Sequence, residues 1–243
     1  MKNLILLIAI ALFAVVPSTY GQSASETASF GPSDGYQLGD RKVRIPAPKG
    51  FVDVSKTFEK VAARMRATED PKNDVLAAYV PETFVPRLRE SQDIDLDFYA
   101  KLSVSNTFRN TDITRQFFDA VIAEGEKNAG AYLDPNGPLM KGLEKSSEKN
   151  LTALLGSGTS LDLTGMKSLG FFEKSDKVFS GMLLANFELN GRKISTLGTF
   201  SIVNVGKRII FAYTYKMFPK GSDLVMLRDF AKQWTAAIVA ANK

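Results

Sequence analysis

The sequence predicts an α+β domain in which an antiparallel sheet, ending in a C-terminal three-stranded meander, is packed by amphipathic helices. Three observations carry that prediction. Two long, largely apolar segments, 178–189 and 193–205, flank Asn190-Gly191, the dipeptide best suited to the two positive-φ positions of a tight hairpin. A third such segment, 208–215, follows the short turn Gly206-Lys207. After Pro219-Lys220-Gly221, residues Leu224, Leu227, Ala231, Trp234 and Ile238 share one face of a final helix, with Phe230 beside them and Ser222 or Asp223 as its cap. A lone helix of that length gains little stability, so its apolar face must cover the sheet.

The elements before the meander follow in order. Residues 1–21 read as a secretory signal peptide: Lys2, then an uninterrupted apolar run from Leu4 to Val16, then Pro17-Ser18 and small residues at Thr19 and Gly21. The run is shorter than the roughly 20 residues of a spanning helix, so no membrane span is expected after cleavage. Residues 22–40, rich in Ser, Gly and Asp, read as a flexible lead-in to a single domain over 41–243. Arg41 to Ile45 alternates as a short strand. Ser55 is placed to cap a helix whose stripe is Phe58, Val61, Ala62 and Met65. Val75 to Val80 reads as a buried strand, and 81–90 is ambiguous because Pro86 interrupts a helical turn.

Leu96 to Ser105 alternates, with Leu96, Phe98, Ala100, Leu102 and Val104 against Asp97, Tyr99, Lys101 and Ser103, and reads as a strand, with the acids of 93–97 on the wet face of its entry. Thr111 or Asp112 caps a helix carrying Ile113, Phe117 and Val121. Leu139, Leu143, Leu151, Leu154 and Leu155 mark a weaker one, and Ser168 to Glu173 a strand.

Composition removes whole classes of chemistry. The 243 residues contain neither Cys nor His, which excludes thiol nucleophiles, disulfides, imidazole bases and Cys/His zinc sites; no cofactor is implied. The net charge of +5 falls to +4 without Lys2 and is spread along the chain, so no nucleic-acid partner is expected. An export signal without cysteine points to a bacterial periplasm or extracellular space.

The local motifs are weak. Asp93, Asp95 and Asp97 begin like a calcium loop, but Phe98 and Val104 occupy the Gly and Glu positions. Ser146 and Lys149 match S-x-x-K in wholly polar surroundings, without its companion segments. The loop from Gly156 to Ser160 lacks the lysine of a phosphate cradle. Arg64, Arg66, Arg87 and Arg89 are the candidate ligand-binding residues: converging guanidinium groups would hold a small anionic ligand by bidentate contacts.

The opening VRIPAPKGF is similar to the strand-Pro-Gly-aromatic start of PsbP-like domains, which include the DcrB-type periplasmic proteins. The ending GKRIIFAYTYKMFPKGSDLVMLRDFAKQWTAAIV resembles their closing strand, acidic-capped loop and final helix. The resemblance spans the two ends of the mature chain and the meander, not the stretch from Asp93 to Ser168. It implies an α/β/α sandwich and a non-catalytic accessory or binding role, and it carries no functional residue. The reading is therefore an exported, non-enzymatic accessory or binding protein of a bacterial envelope, whose partner is an envelope protein or a small anionic ligand. A carboxylate- or Ser/Lys-based hydrolase and an arginine-lined anion carrier are the alternatives.

Overall fold

The computed structural model describes residues 33–243; the expected signal peptide of 1–21 and most of the expected lead-in of 22–40 lie outside the described residues. Within that span the α+β expectation holds, and the meander is present. In chain order the elements are β1 (Ser33–Leu38), β2 (Arg41–Pro46), β3 (Phe51–Asp53), α1 (Glu59–Ala67), β4 (Asn73–Pro81), a 3-10 turn (Glu82–Phe84), α2 (Val85–Glu90), β5 (Phe98–Ser105), α3 (Arg115–Tyr132), α4 (Pro138–Leu155), β6 (Leu161–Lys174), β7 (Val178–Leu189), β8 (Arg192–Val205), β9 (Arg208–Met217) and α5 (Asp223–Ala241). Strands β3 to β9 form one antiparallel sheet in the order β3-β4-β5-β9-β8-β7-β6, and β1 and β2 pair apart from it.

The sheet is covered on both faces. Alternation sends Tyr99, Phe179, Phe187, Phe200, Tyr213 and Tyr215 to one face, where they meet Val61 and Met65 of α1, Leu88 of α2, Phe118 and Ile122 of α3, and Leu143 and Leu151 of α4. The opposite residues, among them Ala77, Tyr79, Leu102, Val104, Val203 and Ala212, meet Phe230, Trp234 and Ile238 of α5 together with Leu38, Val43 and Ile45 of the first hairpin. Trp234 is fully buried, its ring 5.7 Å from that of Tyr79, and its indole N–H donates to the Pro46 carbonyl at 2.9 Å. Small hydroxyl residues under α5 pair across strands, Ser180 with Ser201 at 2.8 Å and Thr199 with Thr214 at 2.5 Å, so polar side chains are satisfied where the helix packs.

Several boundaries differ from the sequence expectation, each for a local reason. Structure begins at Ser33, inside the expected lead-in, because a turn at Gly39 (φ 61°) folds Ser33–Leu38 back on Arg41–Pro46. Ser55 does not cap α1; its N–H and hydroxyl both bond the Asp53 carboxylate, and the helix starts four residues later. The cap of α3 is Thr114, whose hydroxyl accepts from the Phe117 N–H at 3.1 Å, since Asp112 is drawn to Arg208 instead. The ambiguous 81–90 becomes a 3-10 turn and α2, with Pro86 in the first helical turn, where no N–H is required. Strand β6 begins at Leu161, well before Ser168, and Leu224 points to solvent while Thr235 joins the buried face of α5. The hairpin turn is as expected, with Asn190 at φ 52° and Gly191 at φ 79°.

Candidate functional site

The densest group of buried ionisable side chains sits on the four-helix face. Strand β5 directs Tyr99, Lys101 and Ser103 to that side, and its register with β9 places Tyr99 beside Tyr215 and Lys101 beside Tyr213. The rings of Tyr99 and Tyr215 stack at 4.9 Å and those of Tyr213 and Tyr215 at 6.1 Å. Lys101 Nζ lies 5.5 Å from the centroid of Tyr213 and 6.0 Å from that of Tyr215, within cation–π range.

The counter-charge arrives from the end of α1. Thr68 closes the helix by donating its hydroxyl to the Met65 carbonyl at 3.2 Å, and the chain then turns Glu69 and Asp70 inward. Glu69 Oε2 is 2.7 Å from Lys101 Nζ and accepts from Ser103 Oγ at 2.7 Å; Oε1 accepts from Asn73 Nδ2 at 3.0 Å. Asp70 accepts the Lys72 N–H at 2.7 Å. Burial raises the Asp70 carboxyl above its ordinary range, a shift the Glu69 charge reinforces and the Lys72 amide and charge oppose. Burial also pushes Tyr99, Tyr213 and Tyr215 well above the ordinary tyrosine value.

Chemically this is an ammonium neutralised by one carboxylate and roofed by phenol rings. Lys101 and Ser103 are fully buried, and Glu69 and Asp70 are each 3% exposed. A side chain sealed to that degree meets no substrate without opening of the fold, and the arrangement is that of a structural ion pair.

The four candidate arginines each have separate surroundings. Arg64 is 3% exposed and donates Nη2 to the Gln92 carbonyl; burial lowers its pKa while Asp93 and Asp95 oppose the shift. Arg66 is exposed and paired with Glu59. Arg87 is exposed with its guanidinium 5.4 Å above the Phe84 ring, and Arg89 is exposed on the same short helix. The acids of the calcium-like segment are shared out as well: Asp93 with Lys60 at 3.5 Å, Asp95 with Arg192 at 3.9 Å and Asp97 with Lys216 at 2.8 Å. They precede β5 as members of three ion pairs, and among the described residues no group of three metal-ligating side chains occurs. Lys149 is exposed on α4, and Ser146 is half-buried.

A second feature lies at the end of the sandwich where the β7–β8 hairpin turns. Seven large apolar side chains are exposed among the described residues, and three of them lie in one short stretch of chain: Phe218 after β9, and Leu224 and Val225 opening α5. Asn190 ties the α4 end to the hairpin, donating its N–H to Ser160 O at 3.0 Å and accepting from Ser160 N at 2.8 Å. Phe218 has φ 49°, a left-handed conformation uncommon for an aromatic residue, and donates its N–H to Ser195 O at 2.8 Å. Its ring is 46% exposed with the Arg192 guanidinium 5.7 Å from the centroid.

No protein-family model matches the chain, and no curated protein matches it. Among solved structures it is similar to a point mutant of the protein Mog1, at 10% identity and a TM-score of 0.33 over 86% of this chain and 94% of that one. It is also similar to the Saccharomyces cerevisiae Ran-binding protein Mog1p, at 10% identity and a TM-score of 0.32 over 88% and 93%. A Pseudomonas aeruginosa protein of unknown function follows at 11% identity and a TM-score of 0.27 over 84% and 93%. At such TM-scores these likenesses carry no argument.

The sequence reading missed the ionic cluster. Its one legible signal was a lysine followed by Leu102-Ser103-Val104 within a strand whose other face is apolar throughout. The cluster forms because the polar-bearing face of β5 lies under α1 and its neighbours.

Proposed function

We propose that the chain is an exported, non-enzymatic accessory domain that binds another protein of a bacterial envelope through the end carrying Phe218, Leu224 and Val225. The observation that carries the reading is the exposure of three large apolar side chains, Phe218, Leu224 and Val225, within the segment that joins β9 to α5. Charge there favours a protein over a small anion, because two of the nearby cations are already paired, Arg192 with Asp95 and Lys216 with Asp97. Apolar side chains with an arginine-stacked aromatic among neutral ion pairs have the composition of a protein interface.

The test places a photo-crosslinking residue at position 225 or, as a control, at the exposed position 127 on α3, in the full chain expressed in a bacterium. The expected result is a processed, periplasmic protein that gives an adduct from position 225, none from 127, and none after Phe218→Asp. Equal adducts from both positions, or an unprocessed cytoplasmic chain, would overturn the proposal.

A further inference from the structure

The central strand of the seven is the last one made. Strand β9 separates β5 from β8, so the blocks 51–105 and 161–205 become one sheet only through residues 208–217. The helix that covers Ala77, Tyr79, Ala100, Leu102 and Val104 is α5, later still. The first hairpin hangs on the same C-terminal segment. Arg208 Nε donates to Leu38 O at 3.1 Å and its guanidinium pairs with Asp40, while Trp234 Nε1 donates to Pro46 O at 2.9 Å. Asn242 accepts the Arg44 N–H at 2.8 Å and donates to the Arg44 carbonyl at 2.6 Å. These contacts join residues 168 to 198 positions apart, and closing loops of that length precedes any reward from the contacts.

We infer that the chain delays its own folding until residues 208–243 are available, a device that keeps the polypeptide unfolded and threadable for passage across a membrane. Its use rests on the export reading, whereas its mechanism rests on topology alone. Before β9 is made, β5 and β8 each present an unpaired edge, and the apolar residues beneath α5 have no cover. Such a chain can bury only its other face, under α1 to α4, and that in two sheet blocks not yet joined.

The geometry also supplies the means of testing it. Ser33 lies opposite Pro46 in the first hairpin, and Asn242 bonds Arg44 two residues away, so a short Gly/Ser linker can join residue 243 to residue 33. Opening the chain at the Gly206-Lys207 turn gives a permutant in which β9 and α5 come first. Placed behind residues 1–21, the permutant is expected to remain unprocessed in the cytoplasm while the natural order is processed. Equal processing of both would overturn the inference. Pulsed hydrogen exchange during refolding of the full natural chain gives a second reading that does not depend on the permutant folding. Amides of residues 33–105 are expected to gain protection in the same phase as those of α5, and their protection in an earlier phase would equally overturn the delay. If the natural chain is itself never processed, the export reading fails and pulse labelling still decides the folding order.

Discussion

Replacing Lys101 by Met isolates the energetics of the buried cluster. The ammonium and the Glu69 carboxylate are 2.7 Å apart, with their side chains 0% and 2% exposed. At an effective dielectric of about 20, their gross attraction is ~6 kcal/mol, most of which offsets the cost of taking both groups out of water. Methionine fills the same volume but leaves Glu69 charged, supported only by Ser103 and Asn73. Breaking a buried pair in this way costs about 3–5 kcal/mol, which for a domain of this size lowers the melting temperature by about 6–20 °C. The assay is thermal unfolding followed by circular dichroism, for Lys101→Met, Glu69→Gln and the double variant. The double variant is expected to recover most of the loss, because glutamine keeps an oxygen for the amide of Asn73 and carries no charge. A loss below about 1 kcal/mol for Lys101→Met, or a double variant as damaged as the two single losses combined, would refute the reasoning.

Three other outcomes follow from single contacts. A Cβ at position 181 would stand 2.6 Å from two carbons of the Phe200 ring and 2.9 Å from Phe171, so Gly181→Ala is expected to cost about 1–3 kcal/mol by overpacking, read as a lower urea midpoint. The Arg208 hydrogen bond first, then the charges of Arg41, Arg208 and Lys207, hold the Asp112 carboxyl below its ordinary value. Its contribution is therefore fully present above about pH 3.9 and is lost as pH falls through the lower folded value, so Asp112→Asn should flatten the acid limb of a stability profile. Asp70 has the opposite sign: its raised carboxyl makes stability decline as pH rises from about 3.9 through the higher folded value. Asp70→Asn is then expected to be more stable than the parent at pH 7 and equal to it below that window, measured by urea titration at each pH.

Legibility in the sequence tracked how local each determinant is. The Asn190-Gly191 hairpin was readable because two adjacent residues set its backbone, and the α5 stripe because Leu227, Ala231, Trp234 and Ile238 repeat within a single helix. The cap of α3 was not, since Asp112 is the better capping residue in isolation and is removed from that role by Arg208, which lies 96 positions away. The burial of Lys101 was not legible, for the same reason. Alternation along β5 separates its two faces, but only the return of α1 and β9 from elsewhere in the chain decides that both are buried. The cluster unites residues 69, 101 and 213 from three separate elements, and no spacing rule links them. The exposed end was hidden too, because Phe218 and Val225 are ordinary apolar residues until the fold places both outside the core.

Burial on both faces also gives the ionic cluster a role in register. A one-residue slip of β9 against β5 would exchange Tyr213 and Tyr215 with Ala212 and Thr214, moving each set to the other face of the sheet. In a sheet with one wet face the hydrophobic pattern forbids such a slip, but here both faces are dry and the pattern discriminates less. The Lys101–Glu69 pair restores the discrimination, because a slip removes Tyr213 from beside the ammonium and puts a small side chain, Ala212 or Thr214, there. Replacing Glu69, Lys101 and Ser103 together by Leu, Met and Ala is thus expected to leave a stable domain whose β5 and β9 amides give doubled NMR resonances. A single set of resonances at unchanged shifts would show that packing alone fixes the register and that the cluster contributes only its energy.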